Sequence, residues 1–177
     1  MTEKNDTSML TEKYIFRNIR QEEIAQTSEI EKICFPPNEA CSYEHMEDRV
    51  KKAPELFLVA EDRATGKIAG FLNGLATDRE HLTDDFFTDA EIHDPKGKNI
   101  MLLGLDVLPK YQHQGLAREL VRCYKEREKV NGREKLILTC LPDKVEMYQK
   151  FGFKDHGIGG SVWGGEAWHE MSVELRG

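Results

Sequence analysis

The sequence predicts a mixed α/β sheet with right-handed crossovers, on three observations. Two strand-like runs, LFLVAED and KIAGFLNGLAT, flank the turn RATG and read as a hairpin over residues 56–77. The nearly continuous apolar run NIMLLGLDVLP (99–109) has the pattern of a central strand buried on both faces. It passes through the hinge YQHQGLA (111–117) into an amphipathic helix and then a second apolar run, KLILTC (135–140).

The elements follow in order. Residues 1–12 read as a flexible N-terminal tail, and 13–177 as a single domain. YIFRNIR (14–20) alternates apolar and polar residues, as a half-buried strand does. QEEIAQTSEIEKICF (21–35) has helical spacing at 24, 30, 33 and 34, with acidic residues early. PPNEACS breaks it, and SYEHMEDRVKKA forms a second helix capped by Ser42, with Met46 and Val50 four apart. After the hairpin, the charged stretch 78–98 reads as a short helix and a long loop. The helix GLARELVRCYKEREKVNG carries apolar residues at 116, 117, 120, 121 and 124 and ends at Asn131-Gly132. DKVEMYQKFGF is a short helix, and the alternation in AWHEMSVEL closes the sheet.

Composition bounds the function. Of the 177 residues, 39% are hydrophobic and 32% charged, as in a globular domain that buries roughly 70% of its unfolded surface. No apolar run approaches the ~18–20 residues of a membrane helix, and MTEKNDTSMLTEKY lacks the apolar core of a signal peptide. The expected location is cytoplasmic, with no membrane partner. Cys34, Cys41, Cys123 and Cys140 show no metal-ligand or redox spacing, so no metal is expected. A net charge of -7 argues against nucleic acid and suits a cationic small substrate, although acidity also serves solubility alone.

The hinge lies between a central strand and a long helix. A helix N-terminus presents unpaired N–H groups and partial positive charge, and a tight turn before it adds inward-pointing amides. Such a place can hold a pyrophosphate, with Gly115 allowing close backbone approach and Ala117 keeping the first turn thin. The same residues would also serve as an ordinary strand-to-helix turn.

Gln112-x-x-Gly115-x-Ala117, after the strand LDVLP and before the long helix, resembles the Gln/Arg-x-x-Gly-x-Gly/Ala motif of the GNAT acetyltransferase superfamily. The likeness continues in KLILTCLPDKVEMYQKFGF, where Tyr148 precedes Gly152-Phe153. APELFLVAED, the Asp78-Arg79-Glu80-x-Leu82 loop and WHEMSVELRG are similar to the arylalkylamine (serotonin) N-acetyltransferase branch, over roughly residues 14–177. The resemblance implies an acyl-CoA N-acyltransferase fold: a mixed, mostly antiparallel sheet of about seven strands, about four flanking helices, and central strands that splay apart.

The resemblance also implies residue roles. Acetyl-CoA is the expected cosubstrate, lying between strands 100–108 and 136–140. Leu105, Asp106 and Val107 would pair their backbone with its pantetheine arm. Gln112, His113, Gln114, Gly115, Leu116, Ala117 and Arg118 would hold the pyrophosphate. Tyr148 would protonate the departing thiolate. Vertebrate members of the branch deprotonate the amine through a His-x-His pair, but the matching positions here are Met101 and Leu103, which carry no proton. Asp78 and Glu80 are the candidate substitutes, with Glu31, His169 and Glu170 weaker. Phe35, Pro36 and Pro37 on one side and Trp168, with Trp163, on the other would line the amine pocket, although core packing would equally explain aromatic residues there.

The expected activity is therefore acetyl transfer to a primary amine by direct attack in a ternary complex, with an arylalkylamine leading and polyamines or peptide amines next. A catalytically weak acyl-CoA-binding module is the competing reading, supported by the missing histidines and opposed by Tyr148. A monomer or homodimer is expected.

Overall fold

Seven strands form one sheet in the computed structural model, which describes residues 9–176. They are β1 (Tyr14–Asn18), β2 (Phe57–Asp62), β3 (Ile68–Thr77), β4 (Asn99–Val107), β5 (Lys135–Cys140), β6 (Lys154–Ile158) and β7 (His169–Glu174), in the order β1-β2-β3-β4-β5-β7-β6. All neighbours are antiparallel except β4 and β5. Helices α1 (Ile24–Cys34), α2 (Tyr43–Lys52), α3 (Asp85–Thr88), α4 (Leu116–Val130) and α5 (Val145–Lys150) flank the sheet. The expected mixed, mostly antiparallel α/β fold is what forms.

The hairpin holds because its strands bury both faces. Phe57, Val59, Ile68 and Phe71 pack with Ile24, Ile30, Met46 and Val50 under α1 and α2. Leu58, Ala60, Ala69 and Leu72 point the other way and pack with Leu116, Leu120, Val121 and Tyr124 of α4. Alternation of side chains across a strand produces this two-layer cover, with a β-bulge at Ala69 that puts Ile68 and Phe71 on the same face. Ser42 caps α2 by accepting the His45 N–H at 3.1 Å. Gly132, at φ 85°, ends α4 by donating its N–H to the Lys129 carbonyl.

Three features depart from the sequence expectation. Residues 1–8 of the expected tail lie outside the described residues, while 9–13 form a helical turn that buries Leu10 in the core. β6 arises from KDHGI, where only Ile158 is apolar and that side chain is exposed. The sheet therefore closes on β6, and β7 sits inside it.

The fork between β4 and β5 positions the site. The two pair only from Asn99↔Lys135 to Met101↔Ile137. Beyond that point β4 stays with β3 as far as Gly70↔Val107, and β5 stays with β7 as far as Cys140↔His169. A β-bulge accompanies the separation: Asn73 faces Gly104 and Gly74 faces Leu102, leaving Leu103 as the extra residue. Among the described residues no helix is long and apolar enough to cross a membrane, and no group of three His, Cys, Asp or Glu side chains could hold a metal ion.

Candidate active site

The hinge is held from both ends. β4 runs out at Val107, and Pro109–Tyr111 makes a single 3-10 turn. Tyr111 donates its hydroxyl to Asp62 Oδ2 at 2.7 Å, fixing the turn to β2. Gln112 donates its amide to the Val107 carbonyl at 3.0 Å. Gln114 accepts from Lys13 Nζ at 2.9 Å and from the Tyr14 hydroxyl at 2.8 Å. With those side chains engaged, His113 at φ 63° and Gly115 at φ 82° turn the backbone through left-handed conformations. Among the described residues, the backbone N–H groups of His113, Gln114, Gly115, Leu116 and Ala117 have no partner. They crown the N-terminus of a 15-residue helix, where the dipole favours an anion.

The hinge opens onto a cavity of about 730 Å³ in the fork, a size suited to a cofactor-scale ligand. Leu105 and Val107 line one wall, and Leu138, Thr139 and Cys140 the other. Gln112, His113, Gly115, Leu116, Ala117 and Arg118 line the end at the hinge. Two residues expected there do not face it. The Gln114 side chain is tied to Lys13 and Tyr14, and the Asp106 side chain is buried on the α1 side, so either could reach a ligand only through its backbone.

Tyr148, on α5, lines the same cavity, half-buried and edge-on to Phe153 at 5.6 Å. Among the described residues nothing bonds to its hydroxyl. Burial pushes the phenol well above its ordinary range, and the nearby Cys140 and Asp106 add to the rise. It therefore carries its proton at neutral pH. The thiols around it are protonated too: burial lifts Cys34 to about 11, and Cys41 and Cys140 to about 12.

The other end of the cavity is aromatic and acidic. Phe35, Pro36 and Trp168 line it. Trp163, stacked on Phe87 at 5.0 Å, completes the wall. Both indoles are anchored, Trp168 Nε1 donating to the Trp163 carbonyl at 2.7 Å and Trp163 Nε1 to the Glu39 carbonyl at 2.8 Å. Phe87 was not foreseen, because it lies in the charged stretch 78–98. Glu31, Glu39 and Arg49 bring charge to the lining, and burial raises the Glu39 carboxyl with help from Glu166. Arg49 was also missed. Its position three residues after Met46, on the buried side of α2, was the available signal.

Of the candidate bases, only Glu31 lines the cavity. Asp78 and Glu80 follow β3 where Thr77 pairs with Asn99, the closed end of the fork. Asp78 accepts the Lys98 N–H, and Glu80 is held by Lys98 at 2.8 Å and Lys135 at 3.2 Å, which pull its carboxyl below the usual range. Glu170 accepts from Leu82 N–H, and His169 bonds Asp155, both outside this cavity. Met101 lies in the core and Leu103 lines the cavity at the bulge.

The comparisons agree with this geometry. Residues 24–153 match the Acetyltransferase (GNAT) family. YhcX of Bacillus subtilis (strain 168), which carries the name "Probable hydrolase", is 28% identical over 158 residues; these are 85% of this chain but 30% of that protein. The loading GNATL domain of CurA from Lyngbya majuscula superposes with a TM-score of 0.79 at 18% identity, covering 92% of this chain and 98% of that one. A GNAT superfamily phosphinothricin acetyltransferase from Sinorhizobium meliloti, solved in complex with AcCoA, gives 0.66 at 14% identity over 92% and 89%. At such identities the solved structures share the fold. With 24–153 matched and the fork, hinge and tyrosine assembled around one cavity, the chain belongs to the acetyltransferase (GNAT) family.

Proposed function

We propose that the protein transfers an acetyl group from acetyl-CoA to a primary amine, with an arylalkylamine as the leading substrate. One observation carries the reading: a single cavity joins unpaired main-chain N–H groups at the head of α4 to a protonated phenol on α5. The cosubstrate is that of the phosphinothricin acetyltransferase just described, and the residues here fit it. The N–H groups of His113 to Ala117 would hold its pyrophosphate, beside Gln112 and Arg118. The backbone of Leu105 to Val107, on the free edge of β4, would hold the pantetheine arm.

Bound there, acetyl-CoA supplies a thioester carbonyl. Tyr148 holds a proton on its hydroxyl oxygen, available to a sulfur leaving nearby. Phe35, Phe87, Trp163 and Trp168 give an aryl ring and an ammonium faces to stack on, and Glu31 and Glu39 favour the cation. The high thiol pKa values of Cys34, Cys41 and Cys140 leave no thiolate to form an acetyl-enzyme, which supports direct transfer.

The test is thiol release from acetyl-CoA with tryptamine, phenethylamine, spermidine and lysine peptides. The aryl amines are expected to turn over fastest. Turnover with spermidine or peptides alone would overturn the arylalkylamine reading, and tight CoA binding with no turnover would make the protein a binding module. Tyr148→Phe is expected to lower kcat about a hundredfold with coenzyme affinity unchanged. An unaltered rate would remove Tyr148 from the chemistry.

A further inference from the structure

Two carboxyl groups meet beside the amine end of the cavity. Glu31, on α1, is 4% exposed and lines the wall. Its Oε2 accepts the Cys41 N–H at 3.0 Å, while Oε1 has no partner among the described residues. Asp106 of β4 is fully buried, and neither of its oxygens has a partner there. The bulge at Leu103 brings Gly104 between them: a Cβ at that position would lie 3.2 Å from Asp106 Oδ1 and 3.6 Å from Glu31 Oε1. The absence of a side chain at Gly104 leaves the two groups open to each other.

Two ionised carboxylates cannot share such a place at modest cost, so one keeps a proton. Asp106 is the one, because burial and the charge of Glu31 push it well above the ordinary carboxylate range. Glu31, which accepts the Cys41 N–H and lines the cavity, is the member placed to meet an amine. The pair then carries a net charge of -1. It answers the +1 of Arg49, which is 3% exposed on α2 near Cys41; Arg49 Nη2 donates to the Phe87 carbonyl at 2.9 Å, while Nε and Nη1 have no partner among the described residues. The remaining titratable groups facing the pair, Cys34 and Cys41 from the α1 side and Tyr148 from α5, are protonated and neutral.

We infer that Glu31 takes the proton from the substrate ammonium, and that Asp106 acts through it as a positioning residue by donating a hydrogen bond to its carboxylate. The inference rests on the proposed acetyl transfer. An alkylamine arrives mostly as ammonium, with a pKa near 10.4 like that of lysine. Glu31 Oε1 accepts one proton and frees the lone pair. As the C–N bond forms and the C–S bond breaks, Tyr148 gives its proton to sulfur and recovers the second nitrogen proton. Glu31 then releases its proton to water at the cavity mouth. Ammonium and thioester thus become amide, thiol and one proton.

The experiment pairs two readouts. The first is the pH dependence of kcat/KM with tryptamine. Glu31→Gln, which keeps an acceptor for the Cys41 N–H, is expected to lose about a hundredfold and the acidic limb of the profile, with Glu31→Asp recovering part and Asp106→Asn losing roughly tenfold and moving the limb. The second is a carbon-13 titration of the carboxyl groups in the unliganded protein, where Asp106 should stay protonated after other carboxyls ionise, and should ionise lower in Glu31→Gln. A wild-type enzyme that turns over while Glu31→Gln keeps its rate and pH profile overturns the inference alone. Ordinary, independent titration of the two groups overturns it whatever the turnover. A wild type inactive on every amine overturns both this and the acetyl-transfer reading.

Discussion

Asp106 carries a stability cost that changes with pH. In the unfolded chain its carboxyl titrates near 3.9. In the fold, burial and Glu31 raise it, so the native state binds a proton that the unfolded chain has already released. Stability then falls as pH rises above about 4, the reverse of a salt-bridged carboxylate. Asp106→Asn removes that titration. Its melting temperature relative to the parent should improve from pH 4 to pH 8 by roughly 2–4 °C, on the order of 1 kcal/mol. Scanning calorimetry across that range checks it, and a difference that does not vary with pH would show Asp106 ionising normally. The sequence held part of this. An aspartate inside LLGLDVLP signals a buried charge, but only its backbone was given a role. Glu31 was harder to read, because α1 buries Glu31 and exposes Ile33 at 58%, against the apolar spacing. The buried carboxyl pair of Glu31 and Asp106 overrides helix periodicity there.

At the level of elements, the hinge and α4 were legible because both signals are local. Apolar spacing marked the helix face, and a glycine at a strand-to-helix junction marked its left-handed start. A Cβ at Gly115 would meet nothing closer than Leu10 Cδ1 at 3.9 Å, so the protein itself leaves room there. The requirement comes from φ 82° and from backbone approach to a ligand. Gly115→Val puts a β-branched residue where it costs about 1–2 kcal/mol, and it rotates the amides of the hinge out of line. Coenzyme A affinity should fall tenfold or more by calorimetry, with folding retained; wild-type affinity would disprove backbone gripping at the hinge. What the sequence hid was non-local. β6 is an edge strand held by backbone pairing to β7, so KDHGI shows no alternation of apolar side chains. The extra residue at Leu103 depends on the β3–β4 register, and the burial of Phe87 in a charged stretch depends on Trp163, 76 positions away.

At the level of the whole molecule, the sheet is two pieces hinged on three residue pairs. β1 to β4 form one, β5 to β7 the other, and only Asn99 to Met101 join them by strand pairing. α4 packs on β2, β3 and β4, and its Leu120 and Tyr124 belong to the same buried cluster as Leu136, Ile137 and Leu138 of β5. A net charge of -7 attracts a cationic amine but opposes a polyanionic coenzyme at long range, which leaves coenzyme capture to the local amides of the hinge. Ligand in the fork would supply the partner that β4 lacks beyond Met101. Amides of Leu102 to Val107 that do not bond β3 should exchange with deuterium rapidly in the free protein and slow on addition of coenzyme A. Those of Asn99 to Met101, already paired on both sides, should change little. Saturation at a hundred times Kd should also add about 2.7 kcal/mol, or roughly 5–10 °C in Tm. Slowed exchange confined to regions away from β4 and the hinge would place the coenzyme elsewhere and break the link between the fork and the chemistry.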